Sequence, residues 1–449
     1  MWPRIASHSG RREEELKTTP FWWEEAEPQH GERSFDRNSC TALIVGSGYT
    51  GLSAAITLAE AGIENIFVVD AMRIGEGASS RNGGQIGNAA KFTLAQATAR
   101  FGEKRAKEIM DDYNKSMLFM LKRAATLNSG FDLNISGIIT GAHSRKDMAK
   151  LHELRSRLSP EDQKNFEILD ESQVHRVLKT KIYRGAMVKH DQGTIHPAKY
   201  VRALADRARE LGVRIVTGFR FDGARRAASG HVAQLVNVDT NEKVELRSDK
   251  VLFGMNGYVG PQVPWLRQRT IPVQSYMIAT EELAFDFLEE LIPNNRAVGD
   301  TKHVLYYFRR SPDGKRILFG GRARFRNSTE EEAAPGLRAF MEHTFPETKG
   351  VGITHSWLGN VCFAYDFCSH GGRMDDGIYY ASCCNGGGIS NQTHMGHRIA
   401  EYMLGRPDAD RGIIGSHFPR LLLYNGHPWF LPIVGNWYRF LDRKARWFE

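Results

Sequence analysis

Three glycines, Gly46, Gly48 and Gly51, stand in a Gly-x-Gly-x-x-Gly spacing within VGSGYTG. In that spacing the first glycine permits a tight turn, the second lets the backbone approach a pyrophosphate, and the third lets a helix pack closely on a strand. The pattern is common by chance, so its meaning depends on its flanks. Before it, TALIV (41–45) is apolar and β-branched, as a strand buried on both faces of a parallel sheet must be. After it, GLSAAITLAEAG places Leu52, Ala55, Ile56 and Ala59 at helical spacing and stops at Gly62. NIFVVD (65–70) then ends on Asp70, roughly 20 residues past the last glycine, where a ribose-binding carboxylate belongs. The unit predicts a dinucleotide whose phosphates face a helix N-terminus. An acid at position 70 disfavours a 2′-phosphate.

The elements that must position this loop fill a long chain. Its 449 residues exceed one ordinary core, so two joined domains are expected. Residues 1–38 read as an arm anchored in part by Phe21, Trp22 and Trp23. After the glycine-rich stretch at 70–90, residues 94–126 read as helices, DLNISGIITGAH as a strand pair, and 146–178 as a charged helical outer face. A helix capped near Thr194, with Pro197 in its first turn, leads to a strand at 213–216. KVLFGM runs as a strand into Asn256 and Gly257, and residues 271–325 look like antiparallel strands. Residues 377–405 return to strand, glycine loop and helix. The expected boundaries are a dinucleotide-binding domain at 39–95, 185–262 and 350–412, a substrate domain at 96–184 and 263–349, and a tail at 413–449.

The net charge of +8 comes from basic residues scattered among 52 acids, which argues against nucleic acid and fits an anionic cofactor and substrate. Five irregularly spaced cysteines make neither a disulfide framework nor a zinc site, and a reducing cytoplasm is expected. His394 and His397 lie at helical spacing without a third ligand, so they read as polar-face residues and no metal is expected.

IVGSGYTGLSAAITLAEAG, RIGEGASSRNGGQIG, GTIHPAKYVRAL, WLGN and IYYASCCNGGGISNQTHMGHRIAEYMLG, in this order, resemble the FAD-dependent amine and amino-acid oxidases of the D-amino-acid oxidase superfamily, and within it the γ-glutamylputrescine oxidases. The resemblance implies an α/β fold: a Rossmann-like FAD-binding domain of the glutathione-reductase type, interleaved with an α+β substrate domain built on an antiparallel sheet. It implies that Gly46, Ser47, Gly48, Thr50 and Gly51 hold the pyrophosphate, and that Asp70 and Arg73 hold the ribose and adenine end. Gly77, Ala78, Ser79, Arg81, Asn82, Gly83, Gly84 and Gln85 would run beside the isoalloxazine. Arg220 and Phe221 match the adenine segment. Asn256, Gly257 and Trp357 would complete the site, with Gly386, Gly387, Gly388 and Ile389 over the pyrimidine ring. Three departures are the Asn385-Gly386-Gly387-Gly388 loop where the family has Ser-Gly-His-Gly, Ser369 where it has proline, and Asp70 where Glu is commoner.

The implied reaction is oxidation of the C–N bond of a secondary amine or amino acid bearing a carboxylate. Hydride would pass to flavin N5, the imine would hydrolyse, and O2 would be reduced to hydrogen peroxide. Such a site needs an aromatic wall, expected from Tyr276, His303, Tyr306 and Tyr307. It also needs a carboxylate anchor, expected from Arg322 and Arg324, two apart and so on one strand face. Arg81, Tyr276 and Asn385 are the candidate catalytic groups, with Arg81 as the positive charge near N5. FAD is expected to bind non-covalently, with Cys362 as the one position for a covalent link. The alternatives are a small imino acid such as sarcosine or iminodiacetate as substrate, a dehydrogenase using another electron acceptor, and an FAD-binding regulatory subunit. The tail, aromatic and basic, is expected to pack on its own protein or a partner subunit rather than on a membrane.

Overall fold

The computed structural model describes residues 16–88, 90–322 and 324–447. Most of the N-terminal arm's first half therefore lies outside the described residues. Two eight-stranded sheets organise the rest, with a two-stranded ribbon pairing Gln85–Ile86 and Gly193–Thr194.

The first sheet has the expected dinucleotide core. Strand Ser39–Val45 lies between Ile66–Asp70 and Lys243–Phe253, parallel to both. Arg214–Thr217 extends it beyond Ile66–Asp70, and Tyr379–Ser382 beyond Lys243–Phe253, again in parallel. Leu43, Ile44, Phe67, Val68 and Val251 are fully buried, because helices cover one face and the hairpin Phe219–Arg226 with His231–Asn237 helps cover the other. The helices are Tyr49–Glu60, Glu103–Ala124, Pro197–Glu210 and Gly388–Met403.

The second sheet runs Ile353–Phe363, Ile271–Thr280, Ile317–Gly321, Tyr306–Arg310, Ala297–Asp300, Ile138–Gly141, Gly185–Lys189, Phe166–Asp170. Its neighbours are antiparallel except for Ala297–Asp300 beside Ile138–Gly141. Alternation along these strands separates two faces. Tyr276, Ile278, Tyr306 and Phe308 pack under helix Glu330–Thr344, while Met277, Ala279, Leu318 and Trp357 join Phe21 and Trp22 on the other side.

Hydrogen bonding moves several expected boundaries. Gly185–Lys189 and Ile353–Phe363, assigned from sequence to the nucleotide domain, are strands of the second sheet. Helix Glu103–Ala124, assigned to the substrate domain, buries Ile109, Met117 and Met120 in the nucleotide-domain core, because its apolar stripe faces helix Gly388–Met403. DLNISGIITGAH forms one strand, not a pair, and the charged 146–178 region contains the edge strand Phe166–Asp170 as well as helix Arg145–Ser156. The helix at Pro197 is capped by His196, whose ring accepts the Lys199 N–H, not by Thr194.

The tail forms a helix at Leu431–Lys444. Its Asp442 accepts the backbone N–H groups of His303 and Val304 and pairs with the His303 ring at 2.8 Å. That bond is the main cause that raises the His303 pKa above 6.5, against burial. Burial works to raise Asp442, but the bonds from His303 and Val304 overcome it and hold the carboxyl below 3.8. The His303 share of docking is thus complete below 6.5 and is lost as pH rises through its raised pKa; the Asp442 share is present above 3.8 and is lost as pH falls through its lowered one. Docking should be firmest in mildly acid solution. Limited proteolysis should release fragments from residues 431–447 faster at mildly alkaline pH, and Asp442→Ala should release them quickly at both; equal protection of the unaltered protein at both pH values contradicts this account.

Candidate active site

The C-terminal ends of Ser39–Val45, Ile66–Asp70 and Lys243–Phe253 open into a cavity of about 360 Å³. This is where open α/β sheets bind ligands. Its wall includes Gly46, Gly48, Asp70, Phe221 and Asn256, and from the distant C-terminal loop Gly386, Gly388 and Gln392.

The glycines are there for contact reasons. Gly46 sits at φ +111°, and a Cβ on it would lie 2.8 Å from the Gly254 carbonyl oxygen. A Cβ on Gly51 would lie 1.9 Å from the Gly46 oxygen, so only hydrogen lets helix Tyr49–Glu60 close on its strand. Gly48 has no side chain to cap that helix; the Ser79 hydroxyl takes the Tyr49 N–H at 3.2 Å, and the N-terminal end of the helix dipole lies at the cavity. Asp70 accepts the Ser47 N–H at 2.8 Å and its hydroxyl at 2.6 Å through one oxygen, and the Met72 N–H through the other. Burial pushes its pKa up while the Ser47 bonds oppose this. Gln392, missed by motif reading, accepts Thr50's hydroxyl at 2.8 Å and keeps its buried amide nitrogen unpartnered at the cavity wall. An orphaned donor, a glycine cradle and a helix N-terminus at the cavity fit a dinucleotide.

The loop at 77–85 is bonded to every side. Asn82 donates to the Ala78 and Ser79 carbonyls and to the Tyr49 hydroxyl, and accepts the Gly84 N–H. The Trp22 and Trp357 indoles donate to the carbonyls of Asn82 and Arg81, both at 2.8 Å. Gly83 faces the Tyr307 ring, where a Cβ would stand 3.2 Å away, and Gly77 faces Tyr258 at 3.1 Å. Gln85 donates to the Val298 carbonyl. In the C-terminal loop, Gly386 takes φ +82°, Gly387 N–H donates to Cys384, and Ile389 is buried one residue into the helix. Gly257 packs on Asn360, and Asn256 accepts the Cys384 N–H at 3.2 Å.

Not every expected residue joins this site. Arg73 is paired with Glu27 and Glu76 beside Trp23, outside the cavity. Arg81 is turned away too: its guanidinium donates to the Glu76 and Leu358 carbonyls and stacks 4.5 Å over Trp23. Tyr276 and Tyr306 lie on the helix-covered face of the second sheet, Tyr276 donating to Gln274 and Tyr306 stacked on Phe340. His303 serves the tail. Asn385 accepts the Ala364 N–H and donates to the Cys383 carbonyl, bonds that shape the loop. Trp357 supports the loop from behind rather than lining the cavity. Cys362 lies behind the wall, 3.7 Å from the Cys383 sulfur, while its neighbours Val361 and Cys384 face the cavity. His394 and His397 are not a polar face: they are packed on Phe119, and burial lowers their pKa values to about 3 and about 4.

Arg322 and Arg324 also part company, because the strand ends at Gly321. Arg324 donates to the Glu332 carbonyl on the exterior. Arg322 has no acid partner among the described residues and lies 4.8 Å from the Phe363 ring. Burial lowers its pKa, as it does for Lys91 and Lys189. The Arg322 charge adds to the effect of burial on Lys91, so these two cations stand near each other, whereas the Lys189 ammonium lies 5.9 Å from the centre of the Phe166 ring with Asp191 nearby. Lys91 stays solvent-accessible despite that burial, which marks a group projecting into a cleft, and its chain reaches within 3.9 Å of a Cβ placed on Gly386. Tyr307 closes this region, its hydroxyl bonded to Ser275 at 2.9 Å.

A family model described as FAD dependent oxidoreductase matches residues 41–402. The chain belongs to this family of FAD-dependent enzymes. Among curated relatives, gamma-glutamylputrescine oxidoreductase of Escherichia coli (strain K12) is 30% identical over 405 residues, covering 88% of this chain and 90% of its own. Probable oxidoreductase OrdL of Haemophilus influenzae is 28% identical over 417 residues, covering 89% and 91%. Glycine oxidase from Geobacillus kaustophilus shares the fold with TM-score 0.70 at 17% identity, over 86% of this chain and 100% of that one. Iminodiacetate oxidase from Chelativorans sp. BNC1 does so with TM-score 0.63 at 14% identity, over 86% and 98%. This flavoenzyme fold makes Gly51→Ala a direct test of the cradle. Displacing the helix should cost about 1–3 kcal/mol and deplete bound flavin, read as a lower melting temperature and less flavin absorbance per chain; unaltered values for both would refute the close approach.

Proposed function

We propose that this flavoenzyme oxidises the C–N bond of a secondary amine or amino acid that carries a carboxylate, with O2 as the electron acceptor and hydrogen peroxide as product. The observation that carries the reading is Arg322: a half-buried guanidinium without an acid partner among the described residues, beside Phe363 and near Tyr438 and Tyr307. A cation partly withdrawn from water without an acid partner is costly, and a substrate carboxylate would satisfy it with charge-assisted hydrogen bonds. Similarity to the gamma-glutamylputrescine oxidoreductase of Escherichia coli supports γ-glutamylputrescine as the compound to try first.

Bound FAD supplies the chemistry by accepting hydride from the carbon next to nitrogen and passing the electrons to oxygen. The chain's own part is placement. Gly46, Gly48 and the N-terminal end of helix Tyr49–Glu60 would hold the pyrophosphate, Asp70 the ribose, and Phe221 with Arg220 the adenine end. Gly83, Gly84 and Asn82 would run beside the ring system, and the start of helix Gly388–Met403 would favour negative charge at its pyrimidine end. Tyr307 and Met277, which meet a Cβ built on Gly83, would shield the reacting nitrogen from water. Lys91, rather than Arg81, is the cation near the Gly386 loop, and it would hold positive charge close to the site of electron accumulation. Cofactor binding would be non-covalent, because Cys362 stands behind the wall.

A second reading has one observation in its favour. Lys91 adds a second positive charge near Arg322 without an acid partner among the described residues, which suits a small imino acid with two carboxylates, such as iminodiacetate.

Peroxide release from a panel containing γ-glutamylputrescine, sarcosine, iminodiacetate and carboxylate-free amines decides among these. Oxidation of carboxylate-free amines as rapid as that of their acidic counterparts rejects the anchor, and reduction of a dye without peroxide makes the enzyme a dehydrogenase. Arg322→Met should raise KM for the preferred carboxylate substrate tenfold or more, equivalent to about 1.5–3 kcal/mol of a charged hydrogen bond, while kcat changes less. Arg324→Met, outside the site, should leave both constants near their starting values.

A further inference from the structure

The C-terminal segment docks by one face and leaves the other bare. Gly435 presses on Phe325, Tyr438 on the His303 ring, and Asp442 on the backbone of 303–304. These positions lie on one side of the helix; on the opposite side Ile433, Trp437 and Phe440 follow at four- and three-residue steps. Ile433 is 66% exposed and Trp437 56%, and Trp429 and Trp447 extend the strip at 59% and 60%. Leu422 and Leu423 continue it, 87% and 89% exposed at a loop tip where Leu423 adopts φ +60°. A left-handed leucine with almost no protein contact gains nothing within the monomer to offset its strain. An apolar tract of this density on a soluble surface marks a contact face.

Charge selects the occupant. From residue 412 to 447 the chain has one acid, Asp442, and it is buried and bonded. Arg420, Arg443 and Lys444 are exposed around the apolar strip. A second copy of the chain would set these cations against their own counterparts, with no acid in either strip to neutralise them. An anionic lipid surface meets both halves of the pattern: tryptophan and phenylalanine seat at the headgroup boundary, leucine and isoleucine reach below it, and basic residues meet the phosphates.

We propose that residues 420–447 form a peripheral membrane-binding face that seats this enzyme on anionic lipid. It is independent of the substrate reading above. No described helix is long and apolar enough to cross a membrane, so attachment is in the plane of the interface. Because Phe430 and Leu431 pack beside Phe363, the ring next to Arg322, the face also fixes how the substrate cleft is presented to the lipid.

The test is flotation of the purified full-length flavoprotein with phosphatidylcholine vesicles, with and without phosphatidylglycerol. The unaltered protein should float with the anionic vesicles and be released as salt is raised. Trp429→Ser/Trp437→Ser, Leu422→Ser/Leu423→Ser and Arg443→Glu/Lys444→Glu should each weaken binding by about tenfold or more, with flavin absorbance and melting temperature unchanged. Protein that stays soluble with both vesicle types overturns the proposal, as does equal binding to neutral vesicles. A concentration-dependent dimer that Trp437→Ser dissociates, without vesicle binding, overturns it in favour of self-association.

Discussion

The loop at 77–85 is held by two indole N–H groups that reach it from different parts of the molecule. Trp22, from the N-terminal arm, donates to Asn82, and Trp357, from the edge strand of the second sheet, donates to Arg81. Tyr49, at the start of the glycine-loop helix, donates its hydroxyl to Ser79 and receives the Asn82 amide. A loop of small residues would otherwise be mobile, since glycine-rich backbone loses much entropy on ordering. Here its carbonyls are answered by both layers, and the two sheets are positioned relative to each other through it. Trp22 and Trp357 are fully buried, so each indole N–H must find an acceptor, and the loop supplies both.

This clamp explains why the cations at 73 and 81 are not in the cavity. Once the carbonyls of Arg81 and Asn82 point at the indoles, the Arg81 side chain is directed toward Glu76 and Trp23, and Arg73 follows it into the same acid. Positive charge on the opposite bank comes from Arg322, which leaves the end of its strand, and from Lys91, neither with an acid partner among the described residues. Burial depresses both groups and the Arg322 charge depresses Lys91 further, a cost that a structural ion pair would have removed by adding an acid. Perturbed, uncompensated charges of this kind gather where a ligand completes the electrostatics.

The nucleotide half was legible because its signals are local. Gly46, Gly48, Gly51 and Asp70 lie within one strand-helix-strand unit: Gly46 makes the tight turn, Gly51 lets the helix close on its strand, and Asp70 accepts the Ser47 N–H. The distant Gly386 loop was legible through resemblance, and it lines the same cavity. The second sheet was readable as strands but not as faces. Tyr306 and Tyr307 are adjacent, and alternation sends one under a helix and the other toward Gly83; only the placement of helix Glu330–Thr344 decides which. Arg322 and Arg324 were paired by assuming a strand that in fact stops at Gly321. Lys91 carries no motif, and the sole available hint, a lysine just past a glycine-rich loop, is too ordinary to single it out. Gln392 is likewise a plain helical residue until Thr50, far away in sequence, binds its other end.

The distribution of charge ties these parts together. A net charge of +8 in a chain with many acids requires that particular cations go unmatched, and the structure shows two places where they do. In the cleft, Arg322 is half-buried and Lys91 projects beside it, so their field is concentrated on a small space. On the tail, Arg420, Arg443 and Lys444 stand in water, where salt screens them and a single contact is weak. The first arrangement suits one small anion bound in a defined pose. The second suits an extended anionic surface, on which weak contacts add and exposed tryptophans supply the apolar part of the attachment. Asp442 keeps the two apart: by docking the tail helix on residues 303–304 it turns the helix's charged and aromatic side outward, away from the cleft that Arg322 serves.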